Sequence, residues 1–370
     1  MGSSGFQELP ADRRVGRRRL LRGLAATGVA LAALRLPSGA RAAGQARYLT
    51  WNGYDDPALF GPYRERHGAD PDFVLFGTET EALDELQGGT LADLFHACNA
   101  GIPAWKARGI FQSIDTSRLS HWTKLLFPLK TLAGARDDEG QWFVPFEWGQ
   151  TSITYRTDLV DWPDGEESWD LLWDERYQGR LAVMDAPGDT WWSAALRAGV
   201  DFNRVTGGDI ERVNESLRAQ RPLLRMYAGD MSRVARDLAS GDLVAAMTWN
   251  ETAAALLRDK VPVKFARPRE SALAWACGMM LLRDAPEVDK AHDLIDSLLD
   301  PAVGAHLIGQ YGHGHANVKS FDALSEERLA ELGFSRTPIN ILGQCVFQVP
   351  QSAAVENRIQ RDFTLIKSGG

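Results

Sequence analysis

The sequence predicts an α/β fold arranged in two lobes, and three observations lead there. Short apolar runs alternate with amphipathic helical runs from Tyr48 onward, the rhythm of parallel strands joined by crossover helices. A chain of 370 residues, 44% apolar and 24% charged, is long enough for two compact bodies. Midway, residues 141–155 form one long extended path, of the kind that carries a chain from one body into the next.

The first lobe opens with a strand, Tyr48-Leu49-Thr50, which runs into Trp51, Asn52 and Tyr54. Asp56-Pro57 directly behind is a helix start, an N-cap acid followed by a first-turn proline. The helix covers 58–67 and stops at Gly68, a C-cap residue. A strand over 72–76, a helix over 79–86 closed by Gly88-Gly89, and a strand over 92–97 complete a β-α-β-α-β series. Its short loops predict a parallel sheet with right-handed crossovers. Trp51 and Tyr54 therefore sit at the carboxyl end of a strand, where open α/β sheets take their ligands. The loop 98–101, at the end of the third strand, is the next place from which a contact can come. Residues 102–108 are a short helix, and 111–117 run along the surface.

The second lobe repeats the pattern. Helices are expected over 169–174, 190–198, 208–219 and 232–239, with strands over 181–184 and 223–226. Residues 242–251 are a buried strand ending in Trp249, Asn250 and Glu251, followed by a helical run over 252–259. This Thr-Trp-Asn strand end repeats the one at Thr50-Trp51-Asn52, and the two are expected to face each other across one cleft. A short β segment at 261–265 and an apolar strand at 273–282, carrying Trp275, come next. Helices at 287–299 and 301–310 follow. The tail is helical from Ser325, loops through 343–350 and ends in a helix over 353–367.

The N-terminus stands apart from this fold. Arg17-Arg18-Arg19-Leu20-Leu21-Arg22 precedes a short Ala/Leu/Gly/Val run at 23–34 and then Ala40-Arg41-Ala42, the three regions of an export signal. The paired arginines resemble a twin-arginine signal, with cleavage expected near Ala42. The apolar run is too short to span a bilayer. No cysteine follows it, so a soluble periplasmic product is expected. Removing residues 1–42, with their eight arginines and two acids, takes the formal charge from −8 to −14. Such a charge argues against nucleic acid as a partner. The three cysteines, Cys98, Cys277 and Cys345, have no metal-binding spacing. Three buried free thiols is the favoured expectation, and one oxidised pair is the alternative that an exported chain allows.

Four segments carry a family resemblance: Trp51-x-x-Tyr54; residues 92–115, with Asp93 and Gly109-Ile110-Phe111-x-x-Ile114-Asp115; Val144-Pro145-Phe146-x-Trp148-Gly149; and Met247-Thr248-Trp249-Asn250. Two weaker segments agree, residues 294–301 and Phe347-Gln348. In this order and spacing the chain resembles a family 1 extracellular solute-binding protein, the receptor component of an ABC importer, and most of all the spermidine/putrescine-binding branch. The resemblance implies the two-lobed type II fold of periplasmic binding proteins, each lobe a mixed sheet flanked by helices, with ligand in the interlobe cleft. It implies residues 46–150 plus 276–317 as lobe one and 151–275 plus 318–370 as lobe two, crossing near Thr151, Trp275 and Asn317. It also implies an ABC permease as partner, a single chain that acts alone, and no cofactor.

By the same resemblance, Trp51, Tyr54, Trp249 and Trp275 form an aromatic box, with Asn52 beside it and Gln348 as a polar contact. Ring faces attract an ammonium by about 0.5–2 kcal/mol and pack its methylenes. Where polyamine binders carry an Asp two residues beyond the Trp275 position, this chain has Cys277; where they carry Ser and Tyr after the third strand, it has Cys98 and Ala100. Asp185 and Asp189 answer to the acidic pair after the 181–184 strand, offset by one residue. Glu147 and Glu251 stand at positions usually uncharged in the family, and either can supply the carboxylate that a buried ammonium needs. His313 and His315 share one side of an extended segment, without a third metal ligand at suitable spacing.

Three functions are compatible with these residues. The first is a receptor for a small organic cation. The second is the same receptor fold with another ligand, such as an amino-acid derivative, an opine-like or a thiamine-like compound. The third is an exported hydrolase, against which stand the lack of a G-x-S-x-G and of an H-E-x-x-H segment.

Overall fold

The computed structural model describes residues 44–162 and 165–370, and the expected export signal over 1–42 lies outside them. In chain order the strands are β1 (Arg47–Trp51), β2 (Asp72–Phe76), β3 (Leu94–Cys98), β4 (Phe111–Gln112), β5 (Arg136–Asp137), β6 (Gly140–Gln141), β7 (Val144–Arg156), β8 (Leu181–Met184), β9 (Leu224–Ala228), β10 (Ala245–Trp249), β11 (Val263–Phe265), β12 (Ala272–Leu282), β13 (Gly314–His315) and β14 (Cys345–Phe347). All but the small β5–β6 hairpin join one sheet. Its main path runs β2-β1-β3-β12-β7-β10-β8-β9.

The ends of that path are parallel, β2-β1-β3 on one side and β10-β8-β9 on the other. Its middle is the antiparallel pair β7–β12. Helices cover the parallel ends, and their boundaries follow local chemistry. Asp56 accepts a hydrogen bond from the Ala58 N–H to open the turn Pro57–Phe60, and the helix Gly61–His67 ends at Gly68. Thr206 and Asp209 form a reciprocal capping box at the start of the helix Gly207–Gln220.

The middle pair divides the apolar interior. Val144, Phe146 and Trp148 of β7 belong to one core, with β1, β3 and the helices Val288–Leu298 and Pro301–Tyr311. Ile153 and Tyr155 of the same strand belong to a second, with β8 and the helices Pro187–Arg197 and Ala353–Ser368. β12 makes the reverse passage, with Leu273 in the second core and Ala276, Met279 and Met280 in the first. Phe321, Leu329, Leu332, Phe334 and Leu342, from the stretch expected with lobe two, pack instead into the first core. The tail rejoins the second core only from Val346 onward.

Between the two cores, three alternate residues of β7 point the same way: Glu147, Gly149 and Thr151. Alternate residues of a strand share a face and stand about 7 Å apart. In register with them on β12 are Cys277, Trp275 and Leu273. This face of the two long strands is the floor of the candidate site. Among the described residues, no helix is long and apolar enough to cross a membrane.

Candidate functional site

At one end of the floor lies a buried polar cluster. The Glu147 side chain is 3% exposed. Its two oxygens accept the Tyr54 hydroxyl at 2.5 and 2.6 Å, and Nδ1 of His313 lies 2.9 Å from the second. Burial alone would raise the Glu147 carboxyl, but the His313 cation and the hydrogen bonds hold it below its usual value. His313 shows the converse: burial pulls its imidazole down, and Glu147 more than restores it, so the ring is held above its usual value. Together they form an internal ion pair. His96 completes the cluster, its Nδ1 2.9 Å from the Thr50 hydroxyl and its Nε2 3.6 Å from Glu147. Burial depresses His96 to about 4, so it is neutral near pH 7.

Two features bring His313 to this place. The helix Pro301–Tyr311 ends at Gly312, whose φ of 73° suits glycine. A Cβ there would also lie 2.8 Å from Cβ of Glu251, so the chain can pass close to the second lobe only as glycine. Asn250 fixes that passage. Its carboxamide oxygen accepts the Gln150 N–H at 2.9 Å, and its nitrogen donates to the Gly312 carbonyl at 2.7 Å.

In the middle of the floor is Trp275. Its ring lies over Gly149, where a Cβ would meet ring carbons at 2.2 to 2.9 Å. It also meets His313 edge to face, with centroids 5.0 Å apart. The Trp275 indole nitrogen is buried and has no hydrogen-bond partner among the described residues. Close by, Glu251 Oε2 lies 3.9 Å from His313 Nε2, beyond hydrogen-bond reach, and is likewise buried without a hydrogen-bond partner among the described residues. Burial raises the Glu251 carboxyl, and His313 only partly offsets this.

At the far end, Asp189 occupies the first turn of the helix Pro187–Arg197. It accepts the Thr151 hydroxyl at 2.7 Å and lies beside the indole of Trp249. Among the described residues it has no ion-pair partner, and burial raises its carboxyl above the usual value. Trp249 is 36% exposed, a large ring open to the cleft. Gln348 hydrogen-bonds the Gly188 carbonyl next to Asp189, while its own carbonyl accepts from Asn99 of the first lobe at 3.3 Å.

The structure thus brings Tyr54, Glu147, Asp189, Trp249, Glu251, Trp275 and Gln348 onto or beside one floor. Trp51 packs against Phe76, its indole nitrogen buried without a hydrogen-bond partner among the described residues. Asn52 is exposed, with its amide against Gly77. Asp185 is a correction: it is exposed and paired with Lys367 at 2.6 Å, because the strand end turns it toward the C-terminal helix.

The cysteines are a second correction. Cys98 and Cys277 are not free thiols but a disulfide between β3 and β12, and only Cys345 is free. They are register partners in adjacent antiparallel strands. Residues 179 apart in sequence could not be paired from spacing. The disulfide stands beside Glu147 on the floor, where it can offer an apolar surface but no thiol. Glu147, read from sequence as a free carboxylate for an amine, is already engaged by His313 and Tyr54. His313 and His96 were not among the expected ligand contacts. The signal was the alternate-residue pattern of Tyr311-Gly312-His313-Gly314-His315. His315, however, turns away, to Ser320 at 2.6 Å and the Leu298 carbonyl at 3.0 Å.

A separate groove of about 780 Å³ lies on the reverse of β7, where Gln150 points. Lys264, Arg267, Arg269 and Cys345 line part of it, and none of the expected ligand residues does.

Two lobes sharing two long crossing strands, with converging aromatic and acidic side chains between them, define the architecture of a periplasmic binding protein. Sequence comparison agrees. The family described as bacterial extracellular solute-binding protein matches residues 90–333, and the chain belongs to it. The putrescine/agmatine-binding protein of Pseudomonas aeruginosa is 31% identical over 245 residues, 62% of this chain and 66% of that protein. The putrescine-binding periplasmic protein PotF of Escherichia coli is 25% identical over 336 residues, 86% of this chain and 90% of its own length. In three dimensions, the crystal structure of the spermidine/putrescine ABC transporter substrate-binding protein PotD of Streptococcus pneumoniae, in complex with calcium and HEPES, superposes with a TM-score of 0.74. That match has 18% identity and covers 88% of this chain and 99% of the other.

Proposed function

We propose that the protein is an exported receptor that binds a small organic cation between its lobes and hands it to an ABC permease. One observation carries the reading. Asp189 is a partly buried acid that accepts from the Thr151 hydroxyl at 2.7 Å and, among the described residues, has no ion-pair partner, with the exposed ring of Trp249 beside it. A carboxylate placed in this way is stabilised by an ammonium that supplies the missing charge, while the indole packs its alkyl chain. The rest of the site adds to the same sign. His313 offsets Glu147, and Glu251 is left over.

The names of the relatives support the same ligand class. Export from a signal at 1–42 cleaved near Ala42, residence in the periplasm and action as a single chain are parts of this proposal. So is a hinge motion in which the lobes close on the ligand. Core membership supports lobes of residues 46–148 plus 276–342 and 151–273 plus 346–366.

The test is a thermal-shift and calorimetric panel on residues 43–370, using putrescine, agmatine and butylamine against butyrate and glutarate. A ligand at a hundred times its dissociation constant stabilises by about 2.7 kcal/mol, a shift easily read. Binding by amines and none by the carboxylates is the expected result. Binding by the carboxylates alone would overturn it.

A further inference from the structure

The site has two poles, and they ask for different chemistry. At Asp189 the protein offers acceptors and negative charge. At the other pole, over Gly149, two buried polar atoms have no hydrogen-bond partner among the described residues: the indole N–H of Trp275, which can only donate, and Oε2 of Glu251, which accepts when ionised. Unpaired buried polar atoms are uncommon, and in a binding cleft they mark where a ligand's own groups complete the hydrogen bonding. Both atoms belong to side chains that converge on His313, Trp275 edge to face at 5.0 Å and Glu251 at 3.9 Å.

We propose that the ligand is an amine whose far end is a neutral amide or urea group, rather than a second ammonium. This rests on the cation reading above and deepens it. An ammonium at the second pole can donate to Glu251 but has no lone pair for the Trp275 N–H, and it would stand against the His313 cation. A guanidinium has the same defect. A carboxylate can accept from Trp275 but would face Glu251 and Glu147. An amide or urea presents an N–H to Glu251 and a carbonyl to Trp275 with no charge, so it satisfies both atoms. Gly149 and Thr151, which mark the two poles, are about 7 Å apart by strand geometry, the span of a short alkyl chain. The ligand class is thus an ω-amino amide or a carbamoyl amine with a backbone of about the length of putrescine.

Calorimetry on residues 43–370 with 4-aminobutanamide, N-carbamoylputrescine, putrescine and butylamine tests this. At least one of the first two is expected to bind tenfold or more tightly than putrescine, with butylamine weaker than either. In Trp275→Phe, which removes the N–H and keeps an aromatic ring, that preference is expected to fall to less than threefold. Circular dichroism and a thermal melt of the variant establish that it is folded. In Glu251→Gln, which keeps an acceptor oxygen and loses the charge, the preference is expected to survive. Putrescine binding as tightly as the amides overturns the proposal and leaves the cation receptor standing, as does a preference unchanged in Trp275→Phe. Failure of all four amines to bind overturns both readings.

Discussion

Replacing Glu147 with Gln is the sharpest probe of how the site is held together. The carboxylate is 3% exposed and accepts three contacts, two from Tyr54 and one from His313. Gln keeps the shape and one acceptor, enough for Tyr54, but it presents an NH2 where His313 donates and removes the charge. Breaking a buried ion pair by removing one partner costs about 3–5 kcal/mol. His313 is 16% exposed and can shed its proton, which lowers the expected cost to about 2–4 kcal/mol, the loss of one or two charge-assisted hydrogen bonds. Over a lobe of this size that corresponds to a fall in Tm of about 5–15 °C.

The cost depends on pH with a definite sign. His313 is held above 6.5, so its contribution is complete below that value and is lost as pH rises through the folded-state value. Glu147 is held below 4.5, so its contribution is complete above that value and is lost as pH falls through the folded-state value. The difference between wild type and Glu147→Gln in urea melts is therefore expected to be largest between about pH 4.5 and 6.5 and to shrink by pH 9. A difference below about 1 kcal/mol, or one that is equal at pH 6 and pH 9, would refute the ion pair.

Other outcomes follow from the same geometry. Asp189→Asn should weaken amine binding by roughly 30- to 1,000-fold in calorimetry, since it removes one partner of a desolvated charge pair, while leaving the thermal melt of the free protein within a few degrees. Because burial raises the Asp189 and Glu251 carboxyls before a cation arrives, amine binding should release protons, so affinity should rise with pH across the acidic range, as read by calorimetry in buffers of different ionisation enthalpy. Gly149→Ala should push Trp275 off the floor, costing about 1–3 kcal/mol in stability and reducing ligand affinity; unchanged affinity would show that the ring position does not matter. Alkylation of the unfolded, unreduced chain should label one cysteine, Cys345, and three after reduction. Cys277→Ser should cost about 2–5 kcal/mol.

Much of the fold was legible because local signals repeat. The strand over 72–76 and the strand over 181–184 have the bounds expected from their apolar patterns, and helix starts at Asp56-Pro57 and Asp300-Pro301 are where capping chemistry puts them. The long extended path at 141–155 is largely one strand, Val144–Arg156. The helix expected at 190–198 begins three residues earlier, at Pro187. That difference places Asp189 in a helical first turn, where the dipole favours its charge. The short strand Cys345–Phe347 was read as loop because three residues carry no period. Trp249 was readable as an aromatic at a strand end, and Trp275 through the family resemblance. The Glu147–His313 pair was not, because its partners are 166 residues apart and meet only through the turn at Gly312.

Asn250 has a consequence beyond holding a loop in place. One carboxamide joins the amide of Gln150, in the strand that leaves the first lobe, to the carbonyl of Gly312, in the segment that carries His313. Two backbone groups bonded to opposite ends of the same rigid planar unit can turn about it but cannot slide apart without leaving buried polar atoms unpaired. Relative movement there is reduced to a swivel. A substitution that shortens or unpairs this unit, such as Asn250→Ala, would loosen the alignment between the strand and His313 even though it removes no group placed to meet a ligand.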